Sequence, residues 1–284
     1  MTTVPLPAWL ETYRSGDRLS KAQANLAYAS YYCMAGESDM EVDVEERLGY
    51  MPPSMVAYAS RTGTRRNLDA LRNAGWRLLV SAAGVLRTEG FERYALDNGA
   101  WSAFQQGRSF DEAAFGVALD KLGEHADWVV IPDIVAGGME SLDFSVKWLD
   151  RLQGFPQTLL LAVQDGMQPD DVRELLNPSV GIFVGGSTAW KLKTMESWGV
   201  LARRRNCYLH VGRVNSARRI AMCAAACASS FDGTSATRFA QSLPNLDDAL
   251  GYAVNQSDLF SVATENIEQT PFNCRWPLAN LEAA

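Results

Sequence analysis

The chain has 284 residues, of which 47% are hydrophobic and 21% charged, and its net charge is −7. That balance suits a globular protein with a large core and excludes disordered and collagen-like chains. The excess of acid argues against a protein that coats nucleic acid with its whole surface, but it leaves room for a local basic groove. Since an α/β barrel typically takes about 250 residues, one large domain is admissible. The opening "MTTVPLPAWLETYRSGD" has neither the basic start nor the apolar run of a signal peptide. No run approaches the roughly 20 apolar residues of a membrane span. Cys33, Cys207, Cys223, Cys227 and Cys274 form no secreted framework, so a cytoplasmic protein with reduced thiols is expected.

In chain order, "SGDRLSKAQANLAYASYYCM" (15–34) reads as a helix outside the main fold, and "GESDMEVDVEERLGYMPPS" (36–54) as an acidic loop. Eight short apolar, β-branched runs follow: 55–60, 76–82, 93–99, 127–133, 158–166, 180–186, 207–213 and 229–233. Continuous apolar runs of this length suit parallel strands buried on both faces. Helical patterns lie between most of them, as in "RRNLDALRNAG", "SFDEAAFGVALDKLGEHA" and "STAWKLKTMESWGVLARRR". Such alternation predicts an α/β fold of the (β/α)8 TIM-barrel class. The expected division is an N-terminal extension over 1–54, a barrel over 55–255 and a tail over 256–284. One connection departs from the pattern: "AGVLRTEGFE", between the second and third strands, is too short for a covering helix.

The strand ends carry the chemistry, because βα loops converge at the C-terminal rim of a parallel barrel. In order they are Asp97-Asn98-Gly99, Asp133, Gln164-Asp165-Gly166, Gly185-Gly186, Gly212-Arg213 and Asp232-Gly233. Any one such carboxylate reads first as a helix cap. Gathered at one rim, they become a candidate site. Two carboxylates across a pocket suit displacement at an anomeric carbon, one attacking C1′ and the other handling a proton. His210 reads as a satisfied core histidine and His125 as a surface residue, so a Ser–His–Asp triad is not expected. The sequence has no P-loop and no Rossmann glycine motif, and "FVGGS" is a glycine pair that lets a phosphate or a flat ligand approach the backbone. Cys223 and Cys227 sit in an alanine-rich helical pattern, and no metal or cofactor is expected.

These motifs together resemble the tRNA-guanine transglycosylases, and more closely their DNA-directed relatives, the 7-deazaguanine DNA transglycosylase-like proteins of phages and bacterial modification islands. "DNGAW" (97–101) is similar to the family's D-S-G-G-F-Q, "VQDG" (163–166) to V-Q-G-G, and "VGGS" (184–187) to its G-G loop. "FDGTSATR" (231–238) keeps the phenylalanine, aspartate, threonine and arginine of F-D-C-V-L-P-T-R at the same spacing. The resemblance spans roughly 55–245. It implies Asp232 as the nucleophile of a glycosyl-enzyme intermediate and Asp97 as the general base for N9 of the entering base. Asp133 and Gln164 would read the guanine-like edge. Gly185, Gly186 and Gly212 would complete the pocket, with Asn98 standing where the family has serine. Arg213 lies outside the family pattern, where it, Trp101 or Trp190 would stack or wedge. Arg238 would lie near a phosphate. The family's C-terminal Cys/His zinc subdomain has no counterpart here, which favours the DNA-directed branch.

The implied activity is exchange of guanine in DNA for a 7-deazaguanine derivative, a pentosyltransferase reaction. The implied partners are DNA or tRNA, a free 7-deazaguanine base and partner modification proteins, and a homodimer is a further expectation. The basic clusters at 61–66, 203–205 and 218–219 are expected to hold phosphates. Three other functions stay open: a tRNA-directed enzyme, a barrel hydrolase or lyase for a small nucleoside or phosphorylated substrate, and a non-catalytic partner subunit.

Overall fold

The computed structural model describes residues 55–264. The expected N-terminal helix and acidic loop lie outside the described residues. Eight strands form one closed parallel barrel in sequence order: β1 (Val56–Ser60), β2 (Arg77–Ser81), β3 (Tyr94–Asp97), β4 (Trp128–Val130), β5 (Thr158–Val163), β6 (Val180–Val184), β7 (Leu209–Val211) and β8 (Ser230–Gly233). Each lies within one of the expected apolar runs. Closure comes from β1 pairing with β8, with Tyr58 opposite Asp232.

The covering helices are α1 (Arg65–Asn73), α2 (Ala100–Gln105), α3 (Glu112–Leu122), α4 (Met139–Arg151), α5 (Pro169–Val172), α6 (Thr188–Arg204), α7 (Ala217–Ala225), α8 (Ser235–Arg238) and α9 (Leu243–Thr264). As its length requires, the 82–93 connection between β2 and β3 has no helix and folds through turns. The last helix, α9, runs beyond the expected barrel boundary at residue 255. No helix among the described residues is long and apolar enough to cross a membrane.

Strand residues alternate between two cores, because successive side chains of a strand point to opposite faces. Tyr58, Leu79, Ala95, Trp128, Leu160 and Ala162 fill the lumen. Their neighbours Ala57, Leu78, Leu96, Val129, Leu161, Leu209, Val211 and Phe231 join the larger core under the helices. On β7 and β8 this parity turns His210, Ser230 and Asp232 inward. On β3 it does the same for Asp97, two residues after Ala95.

The N-terminal end of the barrel is closed by charge. The Asp127 carboxylate, just before β4, accepts from Tyr58 Oη at 2.9 Å, Arg77 at 3.0 Å and Arg93 Nε at 2.6 Å. The middle of β1, the start of β2 and the residue before β3 are thereby tied to one carboxylate, on the face where barrel residues serve stability rather than chemistry.

Candidate active site

Asp97, Asn98, Asp133, Gln164, Gly185, Gly186, Gly212, Arg213 and Asp232 all fall at or just beyond the C-terminal strand ends, on one rim. Parallel topology alone brings them together, because each follows a strand running in the same direction. Asp97 accepts from Gly99 N–H at 3.1 Å, and Gly99 reaches that position with φ +85°. Burial pushes the Asp97 carboxyl up to about 6, against the lowering contacts of Ser81 and the Gly99 amide, with the neighbouring Asp232 charge adding to the rise.

Asp133 is held by Asn98, whose Nδ2 donates to Asp133 Oδ1 and to the Ile131 carbonyl, both at 2.8 Å. Asn98 Oδ1 in turn accepts from Ala100 N–H at 2.8 Å, so both ends of this buried amide are engaged. Burial also pushes Asp133 up to about 6; Asn98 works against that, and the Asp97 charge adds to it. Two carboxyls that discourage each other's ionisation titrate as a pair. Gln164 is buried, and its Nε2 donates to the Ile134 carbonyl at 2.9 Å. That bond fixes the amide's orientation and directs its Oε1 away from Ile134.

Asp232 is 5% exposed at the end of β8. Its Oδ1 lies 3.0 Å from His210 Nε2 and accepts from Arg213 N–H at 3.3 Å. The second ring nitrogen of His210, Nδ1, lies 2.7 Å from Ser230 Oγ. His210 is thus satisfied and wholly buried, as expected, yet its partner is the Asp232 carboxylate at the rim. Reading it as a core residue missed that contact. The available signal was parity: His210 pairs with Ser230 in register, which puts Asp232 two residues along on the same face.

Arg213 crosses the mouth of the site. It holds a left-handed backbone, φ +58°, which is costly for a side chain with a Cβ. Its guanidinium stacks 4.5 Å from the Trp101 ring and donates to the Gly186 carbonyl, joining α2 to the loops after β6 and β7. Gly186, at φ +67°, has no room for a Cβ, which would stand 2.7 Å from both Asp165 Oδ2 and the Trp190 ring. Gly212 is similarly confined between the Phe183 ring and Asp232 Oδ1, at 2.9 and 3.4 Å from a built Cβ. The buried Lys191 on α6 donates to the Gly212 carbonyl, and burial lowers its amine to about 8, with the Arg213 charge acting in the same direction. Lys191 sits outside every motif, and only the packing of α6 on β7 brings it here.

No family model matches the sequence, and no curated protein does.

The remaining expectations divide by position. Asp165 caps the start of α6 rather than facing the pocket: its oxygens accept from Ser187 N–H and Oγ, both at 2.6 Å. Burial alone would raise its carboxyl, but Ser187's hydroxyl and amide hold it below the ordinary range. Arg238 ends α8 with an exposed side chain that makes no hydrogen bond or ion pair among the described residues. The cluster at 203–205 lies at the C-terminus of α6, on the opposite face of the barrel, where Arg205 donates to the Leu176 carbonyl. Residues 61–66 and 218–219 follow β1 and β7 and stand on the rim side. Of these, Arg61 pairs with Glu89 at 3.0 Å. A cleft of about 820 Å³ opens between the 82–84 turn and residues 108–114 and reaches Asn98 and Gly99. The helix-free β2–β3 connection leaves that side of the rim uncovered.

Proposed function

We propose that this chain is a base-exchange transglycosylase that replaces guanine in DNA with a 7-deazaguanine derivative. The observation that carries the reading is the pairing of Asp232 with Asp97 at one rim, in different environments. One carboxylate is held by an imidazole and a backbone amide, while the other is pushed up to about 6. Carboxyl pairs set apart in this way divide the roles of nucleophile and acid–base.

In the first half-reaction Asp232 attacks C1′ of the target nucleotide, and the C1′–N9 bond breaks. The protonated Asp97 gives its proton to N9 of the departing guanine. In the second half-reaction the Asp97 carboxylate takes the N9 proton of the entering base, whose N9 attacks C1′ and releases Asp232. One proton leaves and one returns, so Asp97 ends as it began. The ionised Asp133, held by Asn98, accepts from the N1 and N2 hydrogens of the base. Such a charge-assisted pair rejects adenine, which lacks both donors. Arg213 and Trp101, stacked on each other, would stack or wedge against a flipped nucleotide.

The test is incorporation of labelled 7-cyano-7-deazaguanine into DNA and, in parallel, into tRNA. Incorporation into DNA that Asp232→Ala abolishes is expected. Incorporation into tRNA alone would move the substrate to RNA with the chemistry intact. Absence from both would favour a small-molecule hydrolase or lyase, or a partner subunit.

A further inference from the structure

His210 is 0% exposed, and both its ring nitrogens have partners: Ser230 Oγ at 2.7 Å on Nδ1 and Asp232 Oδ1 at 3.0 Å on Nε2. A carboxylate only accepts, so Nε2 carries the proton and Nδ1 accepts from the Ser230 hydroxyl. The ring is wedged between Trp128 and Phe183, with centroids at 4.5 and 4.9 Å, so it cannot turn away from Asp232. Behind Ser230 a line of hydroxyls continues down the lumen. Tyr208 interacts with both Ser230 and Tyr58, and Tyr58 donates to Asp127 at the far end. Burial, first of all, keeps both phenols neutral. The charged groups acting on the ring are Asp232, which favours a proton, and Lys191, which opposes one. Burial is the larger effect and keeps the imidazole neutral.

We infer that His210 is the positioning residue of Asp232: Ser230 locks its Nε2–H tautomer, and the Nε2–H grips Oδ1 so that Oδ2 is the oxygen presented to the electrophile. Both contacts to the carboxylate fall on Oδ1, and among the described residues no hydrogen bond reaches Oδ2. A neutral donor orients the carboxylate without pairing it with a full positive charge, which would blunt its attack. The role in attack rests on the nucleophile assignment proposed above, whereas the imidazole–carboxylate contact stands on geometry alone.

Nitrogen-15 spectra of the intact chain test the contact, since there are only two histidines and His210→Gln identifies the second set of signals. At pH 7 His210 is expected neutral and protonated at Nε2, with that N–H resonance moving in Asp232→Ala. A ring protonated at Nδ1, a doubly protonated ring, or signals unmoved by Asp232→Ala would overturn the inference. His210→Gln keeps an N–H donor and His210→Leu does not, and equal thermal midpoints would show that both fold. Single-turnover adduct formation should fall about a hundredfold in His210→Leu, and about tenfold or less in His210→Gln, with KM for the free base unchanged. Equal rates in the two variants would overturn the positioning role. If unaltered protein forms no adduct with DNA or tRNA, the transglycosylase reading fails, while the nitrogen spectra still decide the His210–Asp232 contact.

Discussion

Asp97 shows at the scale of one residue how a site is tuned at the cost of stability. Burial raises its carboxyl from an ordinary 3.8 to about 6, so the protonated form is the one the fold favours. Stability from this group is fully present below pH 3.8 and is lost as pH rises through 6. Asp97→Asn removes that loss, and chemical denaturation at pH 7.5 should find it about 1–2 kcal/mol more stable than the parent. The same substitution should abolish base exchange, because no proton acceptor remains for N9. Asp133 has the same sign and the same value, and because the reaction needs Asp97 protonated and Asp133 ionised, exchange should pass through a maximum near pH 6 and fall on either side. A pH profile flat from 5 to 8 would count against both assignments. The aspartates were legible in the sequence because each ends an apolar run. His210 was not, because a lone histidine in a strand looks the same whether it faces packing or a carboxylate.

At the scale of elements, the strands were legible because parallel strands buried on both faces need unbroken apolar runs. The short β2–β3 connection was legible by length alone. What the loops do at the rim was not. Arg213 reaches Trp101 and Gly186 only because β3, β6 and β7 end at one level, a relation that no local motif encodes. Gly186 is the pivot of that clamp. A Cβ there is strained at φ +67° and collides with Trp190 and Asp165. Gly186→Ala should therefore cost about 1–3 kcal/mol in urea unfolding and weaken base exchange by displacing the carbonyl that Arg213 holds. At the other end of the strands, Asp127 anchors β1, β2 and β3 through Tyr58, Arg77 and Arg93. Asp127→Ala leaves Arg77 part-buried without its carboxylate, and calorimetry should show a loss of about 3 kcal/mol.

For the whole molecule, barrel closure sorts the arginines into two faces, and sequence proximity could not. Residues 61–66 and 218–219 come out on the rim side, whereas 203–205 comes out at the far end of the barrel. If the rim-side arginines hold DNA phosphates, affinity falls steeply with salt. Four contacts from Arg65, Arg66, Arg218 and Arg219 would give a log–log slope between about −2 and −4. Substituting all four with alanine should flatten the slope, while Arg203→Ala/Arg204→Ala should leave it unchanged. A net charge of −7 makes that contrast sharper, since the rest of the surface repels the polyanion. In the proposed reaction Asp232 forms the covalent bond to the nucleic acid. The most direct measurement is mass spectrometry of the adduct trapped under denaturing conditions after incubation with DNA and 7-cyano-7-deazaguanine. A nucleotide attached to the peptide carrying Asp232, and lost in Asp232→Ala, is the predicted result. An adduct on another residue, or one that persists in Asp232→Ala, would contradict it.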